Sequence, residues 1–232
     1  MARALAEPPV PHVPSAQSGD LRARVFSSVI LAPLALLCLW AGDWPWIALM
    51  SLTALGLIAE WLLLCRRQPS VGLAAAGVGY ILVAVAALAW LRADGWENVL
   101  FVLLIVWATD IGAYVVGRRV GGARLAPRIS PGKTWSGAVG GLACAVGVGL
   151  GSALLAPGAS GRALAVAAGL SVAAQAGDLL ESGMKRHFGV KDSGRLIPGH
   201  GGLLDRLDGL LAAAPVAALL AAAFGRGVAL WR

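Results

Sequence analysis

Charge is scarce in this chain. Only 13% of its 232 residues are Asp, Glu, Lys or Arg, against roughly 25% in an average soluble domain. Cysteine is scarcer: Cys38, Cys65 and Cys144 lie in or at the ends of apolar runs, without C-x-x-C spacing and without a His partner. That pattern gives neither a zinc site nor a disulfide framework. Period-two alternation is also missing from the apolar runs, which excludes a transmembrane β-barrel. Residues 1–20 are rich in Ala, Pro and Ser and lack the apolar core of about 7–15 residues that a signal peptide needs. They are expected to form a disordered cytoplasmic tail, ahead of a single integral-membrane domain over 21–232.

What the chain has instead is grease. It is 58% hydrophobic, with a mean hydropathy of +0.77. A helix needs about 20 mostly apolar residues to cross a bilayer. Seven runs qualify as candidates, at roughly 25–41, 44–64, 71–91, 98–117, 135–156, 162–181 and 208–226. The expected fold class is therefore all-α, a polytopic transmembrane bundle with its N-terminus cytoplasmic. A net charge of +7 could point to nucleic acid, but the positions point elsewhere. With the N-terminus inside, fifteen Lys and Arg fall on one side and only Arg92, Arg162, Arg226 and Arg232 on the other. The positive-inside rule makes the richer side cytoplasmic, and basic loops there favour anionic headgroups. No nucleic-acid partner is expected; membrane lipids are.

The charge that exists is concentrated. Ten of the charged residues lie between Asp178 and Asp208. Gln175, Asp178, Ser182 and Lys185 are spaced 3, 4 and 3, one polar stripe down an apolar helix. Lys185, Arg186 and Lys191 then offer three cations for phosphate. The turn "PGHGG" carries His200 between glycines that permit close backbone approach to a ligand. Asp205 and Asp208, three apart, can face one ligand and make three carboxylates with Asp178. Hard oxygen donors beside phosphate-binding cations suit Mg²⁺.

Upstream, Asp110 and Tyr114 share a helical face, and a carboxylate in a span is by default functional or paired. Glu60, near the inner end of the second run, is expected to play a structural part by reaching toward Arg66 or Arg67. The loop "RISPGKTWSG", 128–137, resembles a phosphate-binding P-loop only superficially: Pro127 stands where that motif needs Gly, and no strand is expected before it. Its turn can still present Lys133 and Thr134 at a helix N-terminus, where backbone N–H groups attract anions. Gly137/Gly141 and Gly147/Gly151 have the spacing of close helix packing. "HGG" suggests a lipase oxyanion loop, but the chain has no G-x-S-x-G.

The stretch "SGMKRHFGVKDSGRLIPGHGGLLDRLD", Ser182 to Asp208, resembles the signature of the phosphatidate cytidylyltransferases. Its fixed positions are met at Ser182, Lys185, Arg186, Lys191, Asp192, His200, Gly201, Gly202, Asp205, Arg206 and Asp208. "QAGDLLES", "SPGKTWSG", "TDIGAYVVG" and "RARVFSSVILAPLAL" are similar to the family too, so the likeness touches most of the chain. Two positions depart from it: Gly132 stands where the family has Lys, and Ser136 where it has Glu. The chain is also short for a family that often has eight or nine spans.

The resemblance implies CMP transfer from CTP to phosphatidate, giving CDP-diacylglycerol and pyrophosphate. It implies a catalytic region at about 105–210 in a bacterial inner-membrane protein whose active site faces the cytoplasm, and a homodimer. It implies Asp178, Asp205, Lys185 and His200 as catalytic groups. Ser130, Lys133, Thr134, Ser182, Arg186, Lys191, Asp192, Gly201, Gly202 and Arg206 would bind substrate. Asp178, Asp205 and Asp208 would hold Mg²⁺, with a second cation a further candidate. Three rivals stand beside it. A CDP-alcohol phosphatidyltransferase needs D-G-x-x-A-R, and "DGLLAA" at 208–213 lacks the Arg. A CTP-dependent polyprenol or phytol kinase would share much of the site. An ion-coupled transporter should show inverted repeats with broken helices, and none is visible.

Overall fold

The computed structural model describes residues 18–155, 161–194, 201–225 and 229–232. Among them are seven helices and one hairpin, in the order α1 (Ser18–Ala41), α2 (Asp43–Cys65), α3 (Val71–Asp94), α4 (Trp96–Val120), β1 (Arg124–Ala126), β2 (Ser130–Thr134), α5 (Trp135–Leu155), α6 (Arg162–His187) and α7 (Leu204–Phe224). Each helix falls on one of the seven apolar runs. Helices α2 to α7 are long and apolar enough to cross a membrane; the apolar part described for α1 is the shorter Val29–Ala41. The protein is an all-α polytopic bundle. Outward-facing Leu52, Leu55, Val172 and Leu219 are exposed, as suits a surface bathed by hydrocarbon, while backbone polar groups are satisfied inside each helix.

The helices run up and down, so their connections collect at two ends. At one end Arg92, in the last turn of α3, donates from Nε to the Leu39 carbonyl at 2.6 Å. There too the Leu230 N–H donates to Asn98 Oδ1 at 2.9 Å, and the Arg162 guanidinium lies 4.6 Å from the centre of the Phe224 ring. At the other end Gln68 Nε2 donates to the His187 carbonyl at 2.9 Å. That second end carries the hairpin and the α6–α7 connection. The two segments read as phosphate-handling therefore share one end of the bundle.

The hairpin was not expected. Gly121 and Gly122 have φ of 65° and 101°, a region that L side chains avoid, and they turn the chain out of α4 into β1. Strands β1 and β2 pair antiparallel, Arg124 opposite Thr134 and Ala126 opposite Ser130. A short strand thus does precede the "GKT" loop, but Pro127 still occupies the place of the P-loop glycine, so the loop remains a different device.

Small residues set the helix spacing next to the hairpin. A Cβ on Gly137 would lie 2.8 Å from the Ala113 carbonyl, and one on Gly141 2.7 Å from that of Thr109. Helices α4 and α5 therefore touch backbone to backbone, as the spacing predicted. The second glycine pair behaves differently: space is open around Gly147 and Gly151, and Gly149 between them meets α6, 2.7 Å from the Ala163 carbonyl. That stretch of α5 faces α6 with the intervening residue.

Candidate active site

Helix α6 carries the polar stripe, and the stripe divides by height. Residues seven apart are about 10 Å apart along a helix axis, so its upper and lower parts meet different neighbours. Gln175 Nε2 reaches the Ala138 carbonyl and the Ser171 hydroxyl, both at 3.3 Å. Asp178 forms an ion pair with Lys133 of β2. Lys185, lower down, turns to α7: its ammonium lies 2.6 Å from Asp205 Oδ1 and 3.5 Å from Glu181 Oε1.

The upper part opens on a pocket of about 520 Å³ between α4, the hairpin, α5 and α6. Asp110, Tyr114, Lys133, Thr134, Gln175 and Asp178 are among its walls. This is a wet, mixed-charge cavity of a size that suits a small polar ligand. Its floor is rigid. Thr134 Oγ1 accepts from the Gly137 N–H at 3.0 Å, so it caps α5. Ser136 donates to the Gly121 carbonyl and so ties the base of the hairpin to the end of α4. Arg186 holds the far side, donating from Nε to the Ile129 carbonyl at 3.1 Å. Arg118 donates to the Tyr114 hydroxyl at 2.9 Å, keeping a guanidinium at the rim.

The lower part meets a second pocket, of about 240 Å³, enclosed by α2, α3, α6 and α7. Trp61, Tyr80, Ile81, Met184 and Leu211 give it an apolar wall; Glu181, Lys185 and Asp208 are its charged edge. One helix thickness separates the wet pocket from the apolar one.

Asp205 and Asp208 do not share a ligand-facing surface as their spacing had suggested. Asp205 is saturated by protein donors. Beyond the Lys185 contact on Oδ1, its Oδ2 accepts from the Ser193 N–H at 2.9 Å, the Ser193 hydroxyl at 3.0 Å and the Gly202 N–H at 3.0 Å. Asp208 instead faces the carboxyl groups of Glu181 and Asp178, and accepts from the Gly209 N–H at 2.7 Å. Both Glu181 oxygens are buried without a hydrogen-bond donor. Among the described residues, no group of three or more His, Cys, Asp or Glu is arranged to hold a metal ion by itself. Mg²⁺ needs no such cage, since it usually takes one or two carboxylates and completes its shell with water and substrate phosphate. The neighbouring carboxylates of Asp178 and Asp208 fit that requirement, while Asp205 is occupied here by Lys185, Ser193 and Gly202.

Of the other expected site residues, Lys133 and Thr134 lie at the wet pocket and Ser130 opens β2 outside its lining. Ser182 is half-buried on α6, and Lys191, Asp192 and Arg206 are exposed nearby. Gly201 has a φ of 85°. Gly202 is buried, and the close approach it permits is to Ser193 and Glu60 rather than to open space. His200 lies outside the described residues.

Glu60 is the largest departure. It is buried, and it does not reach for Arg66 or Arg67. Its oxygens accept from the Leu203 and Leu204 N–H groups, each at 2.9 Å, and from the Ser193 hydroxyl at 3.3 Å. Glu181 and Ser193 are the functional-region residues that the sequence reading passed over. Glu181 had a local signal, four residues before Lys185 on the same face. Ser193 had none.

Residues 68–224 match the model of the cytidylyltransferase family, more than half of the chain. The chain belongs to that family. Among relatives of this chain, a phosphatidate cytidylyltransferase of Staphylococcus haemolyticus (strain JCSC1435) is 40% identical over 211 residues, 84% of this chain and 78% of the relative. Another, from Brucella suis biovar 1 (strain 1330), is 50% identical over 168 residues, 70% of this chain and 62% of the relative. A third, from Brucella abortus biovar 1 (strain 9-941), gives the same 50% over 168 residues and 62% of its own length. The chain thus spans less than two thirds of the Brucella proteins. The family match covers the hairpin, the mixed-charge pocket, all of α6 and α7, and the apolar pocket except for its α2 wall of Trp61 and Leu64.

Proposed function

We propose that this cytidylyltransferase transfers CMP from CTP to phosphatidate, releasing pyrophosphate and leaving CDP-diacylglycerol in the membrane. The observation that carries the reading is the wet pocket holding Lys133 and Asp178 beside an apolar one, in a chain whose relatives bear the name phosphatidate cytidylyltransferase. A phosphate oxygen of phosphatidate attacks the α-phosphorus of CTP. The new P–O bond forms as the α–β anhydride bond breaks, and the electron pair leaves with pyrophosphate. No covalent enzyme intermediate is needed, so the protein works by positioning and charge neutralisation.

Each part of the site has a task. Lys133, at the mouth of the wet pocket, exchanges Asp178 for the nucleotide phosphates. Asp178 and Asp208 would hold Mg²⁺, which when bound neutralises phosphate charge and stabilises the leaving pyrophosphate. Lys185, on the charged edge of the apolar pocket, meets the lipid phosphate. The apolar pocket accepts acyl chain, so the lipid enters sideways while the nucleotide comes from water. The end carrying the hairpin faces the cytoplasm of a bacterial inner membrane, in keeping with the basic residues gathered there.

The test is an assay of purified, detergent-solubilised protein with CTP labelled at the α-phosphate and mixed phosphatidate micelles. Label recovered in a lipid that yields CMP on hydrolysis is expected. CDP released together with a newly phosphorylated lipid alcohol would replace the reading with a lipid kinase, and an absence of any lipid product would overturn it.

A further inference from the structure

We propose that Glu60 of α2 is a positioning residue of the active centre, setting the place of the Lys185 ammonium through Ser193 and Asp205. The proposal rests on the reading of Lys185 as a phosphate-binding group. A carboxylate buried this deeply, at 3% exposure, is costly unless donors surround it. Two of its donors, the Leu203 and Leu204 N–H groups, lie at the N-cap and first residue of α7, where helix N–H groups have no partner of their own. A negative charge is also favoured there. Capping alone calls only for a local Ser, Thr, Asp or Asn. Here the cap comes from a different helix, and it does more than cap.

The third donor extends the contact. The Ser193 hydroxyl stands between two carboxylates, 3.3 Å from Glu60 Oε2 and 3.0 Å from Asp205 Oδ2, and its single hydrogen is shared between them. Gly194 and Gly202 press on the same carboxylate: a Cβ on either would lie within 3 Å of a Glu60 oxygen. Glu60 therefore fixes both strands of the connection that supplies Asp205 with its donors. With Oδ2 loaded from that side, Asp205 presents Oδ1 to Lys185 at 2.6 Å. Remove the Glu60 charge and the donors of Asp205 lose their common anchor; the ammonium of Lys185 then loses its place at the edge of the apolar pocket.

Glu60→Gln tests this, because it keeps size and shape while turning one acceptor into a donor that opposes an N–H of α7. Measured as CTP-to-phosphatidate transfer, Glu60→Gln is expected to lower kcat roughly 10- to 100-fold, the scale of a group displaced by about 1 Å. KM for CTP should stay within about threefold of wild type, because a unit acting through Lys185 leaves the Lys133 pocket untouched. In a Lys185→Ala background the same substitution should cost less than about threefold, since residues acting as one unit are not additive. Glu60→Asp, which keeps the charge, should be more active than Glu60→Gln. Full multiplication of the two single effects, or wild-type activity in Glu60→Gln, would overturn the proposal. If Glu60→Gln does not give folded protein, Ser193→Ala replaces it, with a smaller loss that Lys185→Ala must likewise absorb. Hydrogen exchange separates this proposal from the reaction it rests on. Wild type inactive with CTP and phosphatidate would overturn the reaction. Even then Glu60→Gln must speed exchange at the Ser193 amide, which is bonded to Asp205 and not to Glu60; unchanged exchange there would overturn the relay.

Discussion

Replacing Gly202 by alanine adds one methyl group at the most crowded point of the α6–α7 connection. Built on the existing backbone, that carbon would lie 1.8 Å from Ser193 Oγ, 2.8 Å from the Gly194 nitrogen and 2.9 Å from Glu60 Oε2. The hydroxyl can rotate away, but only by giving up its contacts with Asp205 and Glu60. The other two neighbours cannot move freely, one being backbone and the other a carboxylate held by two helix N–H groups. Overpacking of this kind costs about 1–3 kcal/mol, and each hydrogen bond to a charged group adds about 1.5–3 kcal/mol when lost. With one hydroxyl hydrogen to lose, a destabilisation of about 2.5–6 kcal/mol is expected. The assay is thermal unfolding of the detergent-solubilised protein, followed by cytidylyl transfer at a temperature where the variant is still folded. Turnover should fall by roughly 100-fold even there, because Asp205 takes one of its donors from this glycine. Gly151→Ala is the matched control, since nothing lies within 4 Å of its Cβ position and it lines neither pocket, and it should unfold and turn over as wild type does. Equal unfolding temperatures and equal turnover for Gly202→Ala and Gly151→Ala would refute the close-packing argument.

Lys133→Ala and Asp178→Asn should each reduce transfer by at least about 100-fold while the protein still inserts and unfolds near the wild-type temperature, because the groups meet at a partly exposed pocket. Wild-type turnover in either would remove that pocket from the reaction. Gly141→Ala should destabilise by about 1–3 kcal/mol through contact with the Thr109 carbonyl, whereas Gly147→Ala should be neutral; denaturation of the two side by side is the check. Arg92→Ala should lose about 1–2 kcal/mol by stripping the Leu39 carbonyl of its donor at 2.6 Å, with turnover unchanged. A large activity loss there would mean that the far end of the bundle is coupled to the site. Cysteines placed at Arg124 and Lys191 should react with an impermeant thiol reagent only from the cytoplasmic side; labelling from outside would invert the orientation.

The helices were legible because each carries its own signal: an apolar run of membrane length needs no knowledge of its neighbours. The stripe on α6 was legible for the same reason, being a pattern within one helix. The hairpin was not, since three residues such as Arg124–Ala126 are too few to show a period. Glu60 could be seen as an unusual charge in a span, but its partners lie more than 130 residues further along the chain, and the nearest arginines were only neighbours in sequence. Asp205 and Asp208 show the limit of spacing itself. Three residues apart places both near one helix face, yet the loop before α7 fills one with donors and leaves the other among carboxylates. Gly147 and Gly151 matched a packing motif, but a motif does not say which neighbour lies on that side.

The ion pair between Lys133 and Asp178 makes the wet pocket its own counter-ion. Any anion that enters must compete with a carboxylate tethered beside the ammonium, at an effective concentration on the order of millimolar or more. A chloride or a single phosphate offers one contact and gains little by the exchange. A chain of linked phosphates offers several at once, reaching the ammonium while its remaining charge recruits other donors around the rim. Under the proposed reaction the resting pair sorts solutes by valence before any base or sugar is read, and it leaves the pocket nearly neutral between turnovers, at the boundary of a low-dielectric phase where an unmatched charge would be most costly.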